Sequence, residues 1–243
     1  MNKFFIIGNG FDISHELKTT YNDFRNFLLS EYNLSTSDCE EIIGSSPDPI
    51  YLPDGGIDYD DKEIVKFLVC LIDKIDDSKE NNWSELEKNL AYLDFQELFP
   101  DPEDYLDKDG DRNYWHIAII NEDIAANLIS PTASIKNFFS EWIHSIDIND
   151  AKLKQKFKET INNSSLFLSF NYTETLEKVY QINNEDICYI HGNQYREIQF
   201  GHGDKLGRYE THSQTNIGSE SNLSKIDKLL LKDTESILQN HID

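Results

Sequence analysis

A chain of 243 residues with 38% hydrophobic and 28% charged side chains is long enough to bury a core, as one larger domain or two small ones. Its 45 acidic residues against 22 basic ones give a formal net charge of −23, which repels a phosphate backbone or an anionic membrane wherever it is not locally reversed. We therefore expect no nucleic acid and no membrane as a primary partner, whereas a small anion held by backbone amides is compatible with this charge.

The cysteines and the start of the chain bear on its compartment. Cys39, Cys70 and Cys188 are widely spaced and odd in number, which predicts reduced thiols without a disulfide framework or a CxxC zinc site. The short apolar run at the start ends in Gly-Asn-Gly-Phe-Asp without a small-residue cleavage site, so it does not predict a secretory signal. No segment approaches the roughly 20 apolar residues of a membrane-spanning helix. The sequence predicts a cytoplasmic protein.

The opening stretch KFFIIGNGFD predicts a strand, a glycine turn and a helix. Phe4 to Ile7 have the length and character of a buried strand. Gly8-Asn9-Gly10 allow a sharp turn that presents backbone N–H groups to a ligand, and Asp12 is placed to cap the helix that follows. The first N–H groups of a helix attract anions, so Asn9 to Phe11 form a candidate phosphate site. Ile13 stands where the dinucleotide fingerprint has a third glycine, which disfavours a dehydrogenase-type site.

The middle of the chain predicts a helix, a loop and a helical insertion. A helix is expected over about 21–32, with Phe24 and Leu28 on its apolar face. Residues 34–61 contain the stretch SSPDPIYLPDGGIDYDD, which predicts a long acidic surface loop. From residue 62 to about 150, apolar residues recur at helical spacing, and we expect this insertion to be helical throughout with its aromatic side chains in a core.

Three short apolar runs follow, and each ends in a small cluster of Asn, His or Gly. The runs are Leu166–Phe170 before Asn171, Ile187–Ile190 before His191-Gly192, and Ile198–Phe200 before Gly201-His202-Gly203. A helical segment between the first two supports a parallel crossover, whereas the short link before the third fits an antiparallel hairpin equally well. A final helix is expected from about Ser221 to His241.

These elements predict an α/β fold with a Rossmann-like, mostly parallel sheet flanked by helices and a large all-helical insertion. Residues 1–33 and 160–243 form the predicted core, residues 62–150 the insertion, and residues 34–61 the long acidic loop.

Polar residues at the strand ends are the candidate site. In an open parallel sheet the carboxyl ends of the strands lie along one edge, where ligands bind. If the strands are parallel, Asn9, Asp12, Asn171, His191 and His202 meet at that edge. Each also has a structural explanation, because a His-Gly pair is common in turns and asparagine commonly begins a helix.

Five motifs occur in order along nearly the whole chain. They are FFIIGNGFDISHELKTTYNDF near the start, WSELE ending at Glu87, LSFNYTETLE ending at Glu177, YIHG ending at Gly192 and FGHG ending at Gly203. With these motifs the sequence resembles the AbiH family of bacterial phage abortive-infection proteins, which implies a role in antiviral defence.

The same motif order is similar, more remotely, to sirtuin-like NAD-consuming domains. This resemblance implies that Gly8 and Gly10 lie near the pyrophosphate of NAD, that Asn171 lies by the nicotinamide ribose, and that His191 is the base. Thr173 stands where the sirtuin-like pattern has an aspartate that holds the nicotinamide amide. The four-cysteine zinc module is absent, so the resemblance does not extend to protein deacetylation.

The first functional hypothesis is therefore an NAD glycohydrolase. Cleavage of the nicotinamide–ribose bond passes through a cation-like sugar, with His191 as base, Asn171 orienting ribose or water, and Glu87 supplying negative charge. NAD is the expected substrate or ligand, and no metal is expected. The predicted binding residues are Gly8, Asn9, Gly10, Phe11, Asp12, Thr173, Gly192, Gly201, His202 and Gly203.

Two alternatives stay open. One is a sensor that binds NAD, ADP-ribose or another nucleotide without turnover and signals to a partner, which Thr173 favours. The other is a metal-dependent nuclease built on Asp12, His191 and His202, which the acidic composition disfavours. The expected partner is a small nucleotide, and the sequence leaves open a homo-oligomer or a phage-derived trigger.

Overall fold

A three-stranded parallel sheet with helices packed against it organises the fold. The computed structural model describes residues 3–40, 46–75, 87, 90–203 and 216–232. Strands β1 (Lys3–Ile7), β2 (Ile50–Tyr51), β3 (Ile57–Asp58), β4 (Ser165–Ser169) and β5 (Ile187–Tyr189) lie within these residues. The parallel sheet has the order β1-β4-β5, and β2 pairs with β3 as an antiparallel hairpin. The predicted α/β class with a parallel sheet flanked by helices is therefore confirmed.

The sheet joins segments that are far apart in the sequence. Lys3 lies opposite Ser165, Ile7 opposite Ser169, and Ser169 in turn opposite Tyr189. A helix connects β4 to β5, which is the predicted parallel crossover. Because all strands of this sheet run in one direction, their carboxyl ends share one edge.

The helices lie mostly in the connection from β1 to β4. They are α1 (Asn9–Ser14), α2 (Tyr21–Glu31), α3 (Thr36–Glu40), α4 (Asp61–Ile75), α5 (Tyr114–Ala133), α6 (Ile135–Ser145), α7 (Gln155–Thr160), α8 (Thr175–Tyr180) and α9 (Glu220–Leu230). Helix α2 begins at a capping box, in which the Asp23 N–H donates to the Thr20 hydroxyl and the Thr20 N–H donates to the Asp23 carboxylate. This reciprocal cap explains why the helix begins at Tyr21.

Within the part of the chain that the structure describes, two hydrophobic clusters stabilise the fold. The smaller one lies against the sheet and contains Ile7, Phe167 and Leu176. The larger one joins α2, α4, α5, α6 and α9, and its buried aromatic residues include Phe24, Phe138, Phe139, Trp142 and Phe200. The rings of Phe139 and Phe200 stack with centroids 3.9 Å apart. The predicted helical insertion therefore shares its core with α2 and α9.

The opening strand is only half buried, which corrects the prediction. Phe4 and Ile6 are 64% and 68% exposed, whereas Ile7 is buried and Phe5 packs against Phe167. Side chains alternate along a strand, so one face of the sheet carries the apolar contacts and the other is open to solvent.

Three other predictions of secondary structure were wrong in part. The segment 34–61 is not a loop throughout, because α3 and the β2–β3 hairpin lie in it. Ile198–Phe200 is not a strand; Gln199 donates its N–H to the His191 carbonyl, and His202 instead forms a parallel bridge with Leu231. The final helix ends at Leu230, and the rest of its predicted extent after residue 232 lies outside the described residues.

The insertion also departs from continuous helix. Between Leu93 and Asn113 the chain has only short 3-10 turns and an antiparallel bridge from Leu106 to Arg112. Pro100 and Pro102 interrupt helical hydrogen bonding there. Residues 76–86 and 88–89 of the predicted insertion lie outside the described residues.

Among the residues that the structure describes, no helix combines the length and the apolar character needed to cross a bilayer.

Gly201 packs directly against the last residue of α9. Its φ is +144°, and a Cβ at this position would lie 1.8 Å from the Leu230 carbonyl oxygen. We predict that Gly201→Ala lowers the free energy of unfolding by about 2 kcal/mol or more, because both the backbone and the contact must shift.

Urea unfolding measures this change, with Gly203→Ala as the matched control because a Cβ there meets nothing within 4 Å. Equal stability of the two variants would show that Gly201 has no such packing role.

Candidate functional site

The carboxyl ends of β1, β4 and β5 open onto one cavity of about 230 Å³. Most of its lining comes from segments that directly follow these strands, together with α6. The lining residues are Gly8, Asn9, Asp12, Thr19, Glu87, Trp142, Ile143, Phe170, Asn171, Tyr172, Thr173 and His191. Seven of the sequence-predicted site residues thus lie together: Gly8, Asn9, Asp12, Glu87, Asn171, Thr173 and His191.

Asp12 is the most deeply buried charged group of the cavity. The side chain is 1% exposed, and its two carboxylate oxygens accept hydrogen bonds from the hydroxyls of Thr173 and Thr175 at 2.5 and 2.9 Å. Burial raises the pKa of Asp12 to about 6, against the smaller opposing effect of these hydrogen bonds. The predicted capping role is wrong, because α1 begins after Gly8 and the Asp12 side chain turns toward α8.

Asn171 places a buried amide beside Asp12. It is 5% exposed, and its backbone N–H donates to the Ser169 hydroxyl. The amide is close enough to lower the pKa of Asp12, yet neither of its side-chain atoms has a partner at hydrogen-bonding geometry within the described residues. An unpaired buried polar group costs about 1–3 kcal/mol unless a bound molecule supplies the partner. The amide is therefore suited to contact a ligand.

His191 lies against two aromatic side chains at the end of β5. Its ring stacks on Tyr172 at 5.6 Å and meets the edge of Phe170 at 5.7 Å. Burial lowers the pKa of His191 to about 4; the charge of Lys232 adds to this effect, and that of Glu87 opposes it. The imidazole is therefore neutral near pH 7 and a weaker base than an ordinary histidine.

Glu87 belongs to a partly buried network on the cavity wall. Its carboxylate accepts one hydrogen bond from the Tyr172 hydroxyl and one from the Lys232 ammonium, each at 2.7 Å. The side chains of Lys232 and Glu87 are only 11% and 15% exposed. Burial, and then the charge of Glu87, raises the pKa of Tyr172. Glu87 reaches the cavity as predicted, but Lys232 compensates its charge.

The other predicted binding residues do not line the cavity. The Phe11 N–H already donates to the Gly8 carbonyl at 2.8 Å, and its ring packs on Phe157 and Tyr180. A Cβ at Gly192 would lie 1.9 Å from the Glu197 carbonyl oxygen, which explains that glycine structurally. Gly10, Gly192, Gly201, His202 and Gly203 also lie away from the lining.

His202 has a structural role in the connection to α9. Its ring is buried, and Nε2 lies 3.2 Å from the Asp227 carbonyl oxygen and 3.3 Å from the Asp227 carboxylate. Its backbone pairs with Leu230 and Lys232. The segment that carries Lys232 is thereby fixed beside the cavity wall.

Sequence reasoning missed the apolar wall of the cavity. Their helical spacing predicts Trp142 and Ile143 only as core positions of a helix, and nothing in that spacing shows that both residues face the carboxyl edge of the sheet. Tyr172 had a signal, because it stands between Asn171 and Thr173. In the described part of the chain no lysine or arginine lines the cavity, and no cluster of three His, Cys, Asp or Glu side chains is placed to hold a metal ion.

Comparison with known proteins gives one result. The family model described as "Bacteriophage abortive infection AbiH" matches residues 4–243, which is essentially the whole chain. No curated protein and no solved structure shows significant similarity to this chain.

The raised pKa of Asp12 makes the stability of the fold depend on pH. The carboxyl group binds its proton more tightly in the folded chain, with a pKa of about 6, than in the unfolded chain at 3.8. The contribution of Asp12 to the free energy of unfolding therefore falls as pH rises from about 4 to about 6. The total decrease is at most about 3 kcal/mol, and above about pH 6 this contribution no longer changes.

Asp12→Asn removes this titration and retains an oxygen for one threonine. We predict that the stability of the variant relative to wild type rises between pH 4.5 and 7, as measured by urea unfolding at each pH. Asp123→Asn, at an exposed position on α5, is the control. A pH-independent difference for Asp12→Asn would contradict the assignment.

Proposed function

Because the chain belongs to the AbiH family of bacteriophage abortive infection proteins, we propose that it defends against phage through a nucleotide bound in the cavity. The reaction we propose is cleavage of NAD at its nicotinamide–ribose bond. The sheet is then a short Rossmann-like unit, with the ligand at the carboxyl edge of its strands. NAD is substrate, and no metal takes part.

The observation that carries this proposal is the convergence of polar groups in one cavity. Asp12, Asn171, Thr173 and His191 follow three different strands, and each is at most 6% exposed. The aromatic residues Trp142, Phe170 and Tyr172 line the same cavity. A mostly apolar cavity with a few polar groups and shifted pKa values is the usual form of a small-molecule site.

The dimensions of the cavity limit which part of NAD enters it. Its volume of about 230 Å³ lies below the ~300–1,000 Å³ typical of pockets for drug-sized ligands, so it fits a ring and a ribose but not a whole dinucleotide. The nicotinamide riboside end enters, and the phosphates lie outside, near the backbone of Gly8 and Asn9. The Phe11 N–H takes no part, since it is already bonded.

Asp12 is a better base for this reaction than His191. As the bond from ribose C1′ to the ring nitrogen breaks, its electron pair leaves with nicotinamide and positive charge develops on the sugar. A buried carboxylate stabilises that charge, and a pKa of about 6 suits proton transfer near neutral pH. Water adds at C1′ and loses its proton to Asp12. Asn171 orients the ribose, and neutral His191 donates or accepts a hydrogen bond.

A sensor without turnover is the second candidate function. The hydroxyls of Thr173 and Thr175 donate hydrogen bonds to the two carboxylate oxygens of Asp12. The carboxylate of Glu87 likewise accepts hydrogen bonds from Tyr172 and Lys232. Both carboxylates are therefore held in fixed positions, as in a rigid binding site. Lys232 links the cavity wall to the end of α9, so that binding of a ligand in the cavity can alter the surface that α9 presents to a partner protein. A nuclease is not proposed, because His202 lies outside the cavity.

Nicotinamide release from NAD tests the hydrolase. We predict release by the purified protein, with phage lysate as trigger where needed, and a loss of about 10²-fold or more in kcat for Asp12→Asn. His191→Gln loses less, and His144→Gln, at an exposed position on α6, is unchanged.

Full activity of Asp12→Asn would refute its catalytic role. No release under any condition, combined with NAD binding in calorimetry, would establish the sensor. Absence of both release and binding would refute the two functions together.

The two glycines of the first turn provide a test of ligand position. A Cβ at Gly8 or at Gly10 would meet nothing within 4 Å, yet only Gly8 lines the cavity. We predict that Gly8→Ala raises the Kd for NAD at least tenfold in calorimetry, because the methyl group occupies ligand space. Gly10→Ala binds as wild type, and both variants keep their melting temperature. Equal affinities would place the ligand away from this turn.

A further inference from the structure

Asp12 is a buried carboxylate without a countercharge in the described residues. Its hydrogen-bond donors are the neutral hydroxyls of Thr173 and Thr175. No lysine or arginine of the described chain lines the cavity, and the ammonium of Lys232 is bonded to Glu87. A buried charge is unfavourable unless it is paired. The cavity thus offers a negative charge for which the ligand can supply the partner.

We infer that the cavity selects the positively charged, planar end of its ligand, an organic cation of the pyridinium type, and rejects the neutral form of the same ring. This inference deepens the proposed function and rests on it for the location of the ligand. Its test has outcomes that differ from those of the cleavage experiment.

The walls of the cavity suit a flat cation. Trp142, Phe170 and Tyr172 contribute aromatic side chains to the lining that also contains Asp12. The face of an aromatic ring attracts a cation, and aromatic walls beside a carboxylate are a recurrent solution for organic cations. The unpaired amide of Asn171 adds a donor and an acceptor at the same place. Charge and shape therefore favour one class of ligand.

An inorganic cation fits the site less well. Metal ions take several oxygen, nitrogen or sulfur ligands, whereas the described residues contain no group of three suitable side chains. The oxygens of Asp12 are already occupied by hydroxyl donors, and those of Glu87 by Tyr172 and Lys232. The ligand that completes the charge is organic.

Phosphate groups are disfavoured inside the cavity for the same reason. A phosphate near Asp12 would add negative charge to a buried negative group, and no lysine or arginine among the described lining residues offsets it. The net charge of −23 makes the surroundings unfavourable as well. The charged tail of a nucleotide must therefore lie outside.

Three matched probes test the inference by calorimetry on the full chain at pH 7.5. Nicotinamide riboside carries the cationic ring, its dihydro form carries the neutral ring, and nicotinamide mononucleotide adds a phosphate. We expect the cationic riboside to bind at least tenfold more tightly than the dihydro form. Asp12→Asn abolishes this preference, whereas Asp123→Asn retains it.

The pH dependence of the wild-type protein gives a second readout that needs no variant at Asp12. Asp12 gains its proton as pH falls from 7.5 to 5.5, so binding of the cation weakens while binding of the dihydro form does not. His191 stays neutral over this range because its pKa is lowered.

Glu177 is a further carboxyl group to consider, because it accepts a hydrogen bond from the Tyr189 hydroxyl, and burial and then the charges of Glu177, Glu174 and Asp12 all raise the pKa of Tyr189. Burial also raises the pKa of Glu177. Glu177→Gln removes the titration of Glu177 and leaves that of Asp12 in place. We expect this variant still to lose affinity for the cation at low pH.

Three outcomes overturn the inference: equal or tighter binding of the dihydro form, binding of the mononucleotide at least tenfold weaker than that of the riboside, which would show that the tail does not lie outside, or binding of K⁺ or Mg²⁺ without any organic probe. Cleavage of NAD without a preference for the cation refutes the inference and leaves the proposed reaction standing. A preference for the cation without cleavage supports the inference and favours the sensor. Binding of no probe refutes the inference.

Discussion

The parallel pairing of β1 with β4 is the interaction on which the site depends. It sets Ile7 opposite Ser169, and the Phe170 N–H continues the ladder by donating to the Ile7 carbonyl at 2.9 Å. The next residues of each strand then diverge into α1 and α8. Asp12 on the first helix thereby meets Thr173 and Thr175 at the start of the second. A shift of one residue in the register of β1 against β4 would turn these side chains to the other face of the sheet, and the cavity would not form.

Much of this arrangement follows from the sequence, because strand ends in a parallel sheet share an edge. The apolar runs before Gly8, Asn171 and His191, together with the assumption that these strands are parallel, predicted that the residues after them converge. The run Ile198–Phe200 looked the same but formed no strand, since Phe200 gained its burial by stacking on Phe139 instead. A short apolar run shows that a segment is buried and does not show which surface buries it.

The chemistry of the site was harder to predict than its location. Asp12 matched a local rule for helix caps, yet two threonines more than 160 positions away determine its environment. His191 looked like a neutral-range base until burial between Phe170 and Tyr172 was known. Glu87 could be placed near the crevice, but its pairing with Lys232 joins two segments that no spacing rule relates. Protonation depends on burial and on distant partners, and neither can be read from a motif.

The long connection between β1 and β4 has a consequence for biosynthesis. The first strand leaves the ribosome with its hydrogen-bonding edge free and with Phe4 and Ile6 among its side chains, and its partner strand follows only after most of the chain. The helices between them contact one another locally and are able to form earlier. The carboxyl edge of the sheet is thus assembled late, and a nascent or truncated chain that has not yet reached β4 and β5 would lack the cavity.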